Sequence, residues 1–382
     1  MALLPDLPIV RRTLANGLRV VLQEDRSLPL VAVNLWYHVG SKNERPGRTG
    51  FAHLFEHMLF QGSAHVGTND HFHYLQQVGG VANGSTWYDR TNYYETVPAH
   101  HLELALWLES DRMGFLLPAL TAEKLENQRA VVMNERRERV DNQPYGHATE
   151  RLHELLYPPD HPYHWPVIGY LPDIAAASLD EVRAFFSTHY RPNNAVLSLV
   201  GDFDPQQAGD LVERYFGDLA AGHESPLVAA PNGQTAGGAE TLEDAVELPR
   251  IYLGYRVPPY GTRDWYALDL LASALSEGKA TPLYRDLVYE RQAAQEASVA
   301  LLAGELDGTF YTIATCRPGV DPAHLEELLD GHLERAAAEP LTPEILEAAR
   351  RRTVVGALEE FESFEERADV FSQLTTLFDA PE

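Results

Sequence analysis

Residues 51–60 read FAHLFEHMLF. On a helix, positions i and i+4 share a face, and i+3 lies beside them. His53, Glu56 and His57 therefore converge on one point. Leu54, Phe55, Met58, Leu59 and Phe60 make the same helix apolar on most other sides, which is the pattern of a buried helix. Two imidazoles and a carboxylate inside such a helix need partners, because unpaired buried charge is costly. A metal meets that need. His53 and His57 are the expected ligands, and Glu56 is placed to act as a general base.

Working outward, residues 9–24 form a hairpin around Ala15-Asn16-Gly17, since Asn-Gly between β-rich runs favours a tight turn. Leu30–Val39 is an expected strand, and Gly40–Gly50 is a loop rich in charge and glycine. Beyond the motif, Thr68-Asn69-Asp70 is expected to cap a helix over Asp70–Val78. Strands follow at Val81–Trp87 and Thr91–Val97. Ala99–Arg112 and Leu120–Asn142 have helical patterns. Zinc hydrolase sites commonly take three protein ligands. With Cys316 the single cysteine, a carboxylate from the second of these helices is the natural third. Glu126, Glu135 and Glu138 all qualify by spacing.

The second half repeats the order strand, loop, helix at Arg250–Val257 and Trp265–Leu275. Aligning the two helices by apolar pattern pairs Phe51 with Tyr266, His53 with Leu268 and His57 with Ala272, so the second copy has no metal set. The expected organisation is a domain over 1–220, a Gly-, Ala- and Pro-rich linker over 221–244, and a related domain over 245–382 without metal and short at its C-terminus.

Asp and Glu number 56 against 30 Lys and Arg, for a net charge of −26. That balance argues against nucleic acid as a partner, which needs a basic patch. One cysteine allows no disulfide within the chain and fits a reducing compartment. No apolar run is long enough to span a membrane. MALLPDLPIVRR lacks the layout of a signal peptide. The expected location is cytoplasmic, or periplasmic or secreted if a signal peptide has been removed.

These stretches resemble the inverzincin zinc peptidases, the family of pitrilysin, insulysin and the mitochondrial processing peptidase, whose motif is H-x-x-E-H. The resemblance covers nearly the whole chain and is nearest the short bacterial members. GFAHLFEHMLFQGS matches the motif helix. NQRAVVMNE matches the segment that carries the third ligand, which selects Glu135 over Glu126 and Glu138. Gln128 stands where many members have a second acidic residue. VANGSTWYDRTNYY is similar to the family's edge strand, so Asn83, Gly84 and Ser85 are expected to hold a substrate backbone.

The resemblance implies an α+β fold: two related α/β domains, each a mostly antiparallel sheet with packed helices, forming half of a clam-shell chamber. It implies one Zn2+ per chain and a zinc-dependent endopeptidase that binds peptides as an added strand. One departure matters. Members often carry an Arg and, seven residues later, a Tyr near the zinc. In LVYERQAAQ those places hold Val288 and Gln295. This pattern implies a heterodimer with a zinc-less related subunit that supplies the pair, with a homodimer as the alternative. A zinc-loaded but weakly active peptide-binding subunit is the rival reading.

Overall fold

A computed structural model describes residues 7–231 and 237–381. The first six residues of the N-terminal stretch, part of the expected linker and Glu382 lie outside the described residues. The strands are β1 Ile9–Thr13, β2 Arg19–Glu24, β3 Leu30–Tyr37, β4 Val81–Thr86, β5 Thr91–Pro98, β6 Ala195–Gly201, β7 Arg250–Val257, β8 Ala294–Leu302 and β9 Gly308–Cys316. The helices of the N-terminal half are α1 Phe51–Met58, α2 Asp70–Gln77, α3 Leu102–Phe115, α4 Ala122–Arg136, α5 Ala148–Leu156, α6 Leu171–Ala176, α7 Leu179–His189 and α8 Pro205–Phe216. Then come α9 Arg263–Ser276, α10 Pro322–Ala338, α11 Pro343–Glu360 and α12 Phe364–Phe378. This is the expected α+β fold.

The chain forms two compact units, and neither is a continuous stretch. The first takes the chain up to Arg136, Trp165–Val228 and the end from Glu359; the second takes Arg137–His164 and Ala229–Leu358. Contact thus groups the chain differently from the expected sequential division into 1–220, 221–244 and 245–382. The physical reason is burial. In the first unit, Phe364, Ala368 and Phe371 of α12 pack against Val21, Ala32, Trp36, Val196 and Val200. In the second, Leu152 and Leu156 of α5 lie on Gly254 of β7. Each helix buries an apolar stripe on a sheet far from it in sequence.

The first unit's six-stranded sheet has the order β1-β2-β6-β3-β5-β4. Only β2 and β6 run parallel. The central strands β3 and β6 are buried along almost their whole length, because both faces of the sheet are covered. One face carries the main core, with Phe55, Phe186 and Tyr190 packed ring on ring. The other carries α12. There the Asp369 Oδ1 accepts from Asn34 Nδ2 at 3.1 Å, Trp36 Nε1 at 2.7 Å and Asn92 Nδ2 at 2.7 Å. Asp369→Asn, which keeps an oxygen and loses the charge, is expected to cost about 1–2 kcal/mol in denaturant unfolding, the gap between charged and neutral hydrogen bonds.

The second unit's sheet has the order β7-β9-β8, all antiparallel. A π-helical turn over Tyr284–Glu290 precedes β8. Ser178 caps α7 by accepting from the Glu181 amide. The expected cap fails at Asn69, which precedes α2 in the left-handed region with no side-chain cap bond. Among the described residues, no helix is long and apolar enough to cross a membrane.

Candidate metal centre

The motif helix α1 buries Phe51, Ala52, Leu54, Phe55 and Met58. That orientation leaves His53, Glu56 and His57 on its half-buried side. Their rings meet edge to face, with centroids 4.9 Å apart. The helix packs beside α4, whose last turn brings in Glu135. The Glu135 Oε2 lies 3.6 Å from the His53 Nε2 and 3.3 Å from the His57 Nε2. Donor atoms of all three lie within 4.8 Å of one another. Glu126 pairs instead with Arg129 and is exposed. Glu138 lies past the end of α4, in the turn over Arg137–Asp141. Gln128 is buried in α4 as a neutral amide.

The donor set fits zinc. Two imidazoles and a carboxylate are borderline to hard ligands of the kind zinc takes. Arms of about 2.0–2.1 Å at tetrahedral angles set donors about 3.3–3.4 Å apart, close to the two separations found here. One carboxylate oxygen within reach of both imidazoles is also the geometry that three ligands of one ion require.

Glu56 points to β4 across a narrow gap. Its Oε2 accepts from the Thr86 Oγ1 at 2.6 Å. Burial pushes its carboxyl above the ordinary value, against the Thr86 hydroxyl and His57, which favour the ionised form. Gly84 makes the approach feasible. A Cβ there would sit 3.2 Å from the Glu56 Cγ and equally near Phe60 and Tyr93. Strand alternation puts Gly84 and Thr86 on the α1 side and Ser85 on the other. The Ser85 hydroxyl donates to Asn92 and accepts from Arg90. Asn83 is exposed, and its Oδ1 accepts from the Gly84 amide at 2.9 Å. Of the three expected substrate residues, the structure brings Gly84 alone against Glu56. β4 is nonetheless an edge of the sheet, paired only with β5.

Sequence reasoning missed Thr86, which alternation from Gly84 would have found. It also missed Arg90, whose guanidinium lies over Trp36 and bonds the Ser85 carbonyl at 2.8 Å.

Residues 19–161 match the family model described as Insulinase (Peptidase family M16), and residues 176–353 match the one described as Peptidase M16 inactive domain. The zinc protease PqqE of Helicobacter pylori is 31% identical over 365 residues, covering 94% of this chain and 82% of that protein. This chain belongs to the M16 peptidase family. A crystal structure of a protease from Helicobacter pylori matches with TM-score 0.91 at 30% identity, over 98% of this chain and 90% of that one. A peptidase M16 inactive domain from Pseudomonas fluorescens shares the fold, with TM-score 0.86 at 19% identity over 98% of this chain and 89% of that one.

This M16 chain holds a second group of metal-type side chains, His71, Glu95 and Glu109, all buried. The His71 Nε2 lies 3.4 Å from the Glu95 Oε2. Arg112 occupies the place of a cation. Its guanidinium forks onto the two oxygens of Glu109 and sits between the rings of Tyr93 and Phe60. One guanidinium neutralises one carboxylate, so the other needs a proton. Burial pushes Glu95 and Glu109 alike up to about 7. It lowers His71 to about 3, which keeps that ring neutral. The Arg112 fork neutralises one carboxylate, so Glu95 and Glu109 carry one proton between them.

A carboxyl raised on folding binds its proton more tightly in the native state. Its stabilising contribution is full below its unfolded value and is lost as pH rises through about 7. Stability is therefore expected to fall across this window, with a limiting slope of about 1.4 kcal/mol per pH unit for one proton. Glu95→Gln should flatten that part of the profile. Unfolding measured from pH 5 to 8.5 checks it, and an unchanged slope would refute the assignment.

Proposed function

We propose that this chain is a zinc-dependent endopeptidase acting on peptides or unfolded polypeptides. The observation that carries this reading is the convergence of His53, His57 and Glu135 on one point beside Glu56. Zinc held by those three residues would polarise the scissile carbonyl and lower the pKa of water at the site. Glu56 takes the proton of the attacking water at the oxygen not engaged by Thr86, then delivers it to the leaving amine. The Thr86 hydroxyl keeps the carboxylate turned toward β4. Gly84 keeps β4 close enough for an extended chain to reach both the strand and Glu56.

The open edge of β4 supports β-strand addition as the binding mode, in which main-chain hydrogen bonds hold the peptide and sequence tolerance is broad. Asn83, exposed on that strand, is the side chain best placed to touch it.

A second reading is favoured by the second unit. Val288 is buried in its core, and Gln295 is exposed at the bulge between Ala294 and Glu296. Neither supplies a cation or a phenol to a substrate. This supports a heterodimer in which a zinc-less related subunit supplies an Arg and a Tyr; without it the chain binds peptides and cleaves slowly. Cleavage of a mixed quenched-peptide library by the isolated chain, with and without chelator, tests the peptidase reading. Full chelator-sensitive turnover by the isolated chain would remove the need for a partner. Turnover insensitive to chelator would refute the metallopeptidase.

A further inference from the structure

The helix that carries both histidines is eight residues long. Helices this short are not stable alone, so their position depends on how their ends are held. Its N-cap is Gly50, which has no side chain to offer and lies in the left-handed region, φ 83°. The first-turn amides are taken by a residue outside the helix. The Glu44 carboxylate accepts from the Gly50 amide at 2.9 Å through Oε2 and from the Ala52 amide at 2.7 Å through Oε1. Burial pushes the Glu44 carboxyl well above its ordinary value, against these amides and the positive end of the helix dipole, which favour the ionised form. His53 follows directly in the same turn.

Glu44 stands on a fixed base. It ends the short turn Ser41–Asn43, whose Ser41 and Lys42 amides donate to the Trp87 and Tyr88 carbonyls at 3.1 and 2.9 Å. The loop that fastens α1 is thus fastened to the end of β4. The start of α1 is also keyed to α4. A Cβ on Gly50 would come within 3.0 Å of the Gly169 Cα, so the two glycines pack back to back. The Gly169 carbonyl in turn accepts from the Arg136 Nη1 at 2.8 Å. Arg136 is the neighbour of Glu135. Thr49 is held by Asp173 through both its amide and its hydroxyl.

We propose that Glu44 is a positioning residue for the metal centre: by holding the first turn of α1, its carboxylate keeps His53 in register with His57 and Glu135 and thereby sets metal affinity. This rests on the metal-site reading above. Without the carboxylate the first turn frays and His53 departs first, since His57 lies a turn further in. Rebinding metal must then order that turn again, and affinity falls.

The test compares Glu44→Gln with Asp204→Ala. Asp204 is the control: its carboxylate accepts from two amides at the N-terminus of another helix of the same unit, α8. Zinc affinity is read by chelator competition, and amide exchange of the 50–54 region is read on the metal-free chain. Glu44→Gln is expected to weaken zinc binding by about tenfold or more, the usual effect of losing an outer support of a metal ligand, and to speed exchange of the Gly50 and Ala52 amides. Asp204→Ala should lower Tm and leave both unchanged. Glu44→Asp, which keeps the carboxyl on a shorter arm, should fall between Gln and the parent, and it is read by the same criterion if the Gln variant does not fold. Parent-like zinc affinity in the Glu44 variants, or equal weakening in Asp204→Ala, overturns the proposal alone. Failure of the parent to bind zinc overturns the metal-site reading and this proposal with it.

Discussion

Glu56→Gln is expected to lower peptide cleavage by at least about 10²–10⁴-fold, the range for a general acid–base group, while zinc content stays at the parent value. The variant suits the question because so little else changes. Gln has the same length and can still accept from the Thr86 hydroxyl, which is 2.6 Å from the carboxylate in the parent. The histidines on either side keep their partner in Glu135. What is lost is the ability to take and return a proton. The loss belongs in kcat, since proton transfer is an interaction made only in the transition state. A variant with parent-like turnover would show that Glu56 is not the base. A variant that also lost its zinc would show that the carboxylate supports the ligands and not the chemistry.

The largest expected effect on stability lies one layer deeper. Arg112→Met should destabilise the first unit by about 3–5 kcal/mol, the cost of removing one partner from a buried ion pair. Glu109 and Glu95 would remain in an interior where Arg112 is the neutralising cation. Methionine fills part of the space between Tyr93 and Phe60 but brings no charge. Pairing it with Glu109→Gln should recover much of the loss, because the double variant leaves no unpaired ion in the cluster. Denaturant unfolding of both variants decides the matter. A cost below about 1 kcal/mol for Arg112→Met, the scale of an exposed pair, would mean that the cluster is wetter than its burial indicates.

The parts of this site that were legible in the sequence are the local ones. His53, Glu56 and His57 lie within two turns of one helix, so their convergence follows from helix geometry alone. The proposed third ligand comes from α4, and Glu126, Glu135 and Glu138 are equivalent in type and spacing. Helix periodicity leaves them open; the resemblance selects Glu135, and the packing of α4 on α1 brings it to both histidines. The edge position of β4 is likewise a matter of non-local pairing, since β4 and β5 look alike as isolated strands. The path of the last helix was illegible for the same reason. The spacing of Phe364, Ala368 and Phe371 says that α12 buries a face, not which sheet receives it. Charge misleads most. Glu109 and Arg112 read as the polar end of an amphipathic helix, and Glu44 as one more charge in a loop. Burial makes the first two a neutralised core, and two backbone amides make the third a helix anchor.

The most direct test of the account is the metal content of the purified chain measured beside that of Glu135→Gln. The central claim is that His53, His57 and Glu135 hold one ion together. It predicts one zinc per chain in the parent and a large loss in Glu135→Gln, with the fold retained by circular dichroism. No zinc in the parent, or stoichiometric zinc that survives in Glu135→Gln, would contradict it.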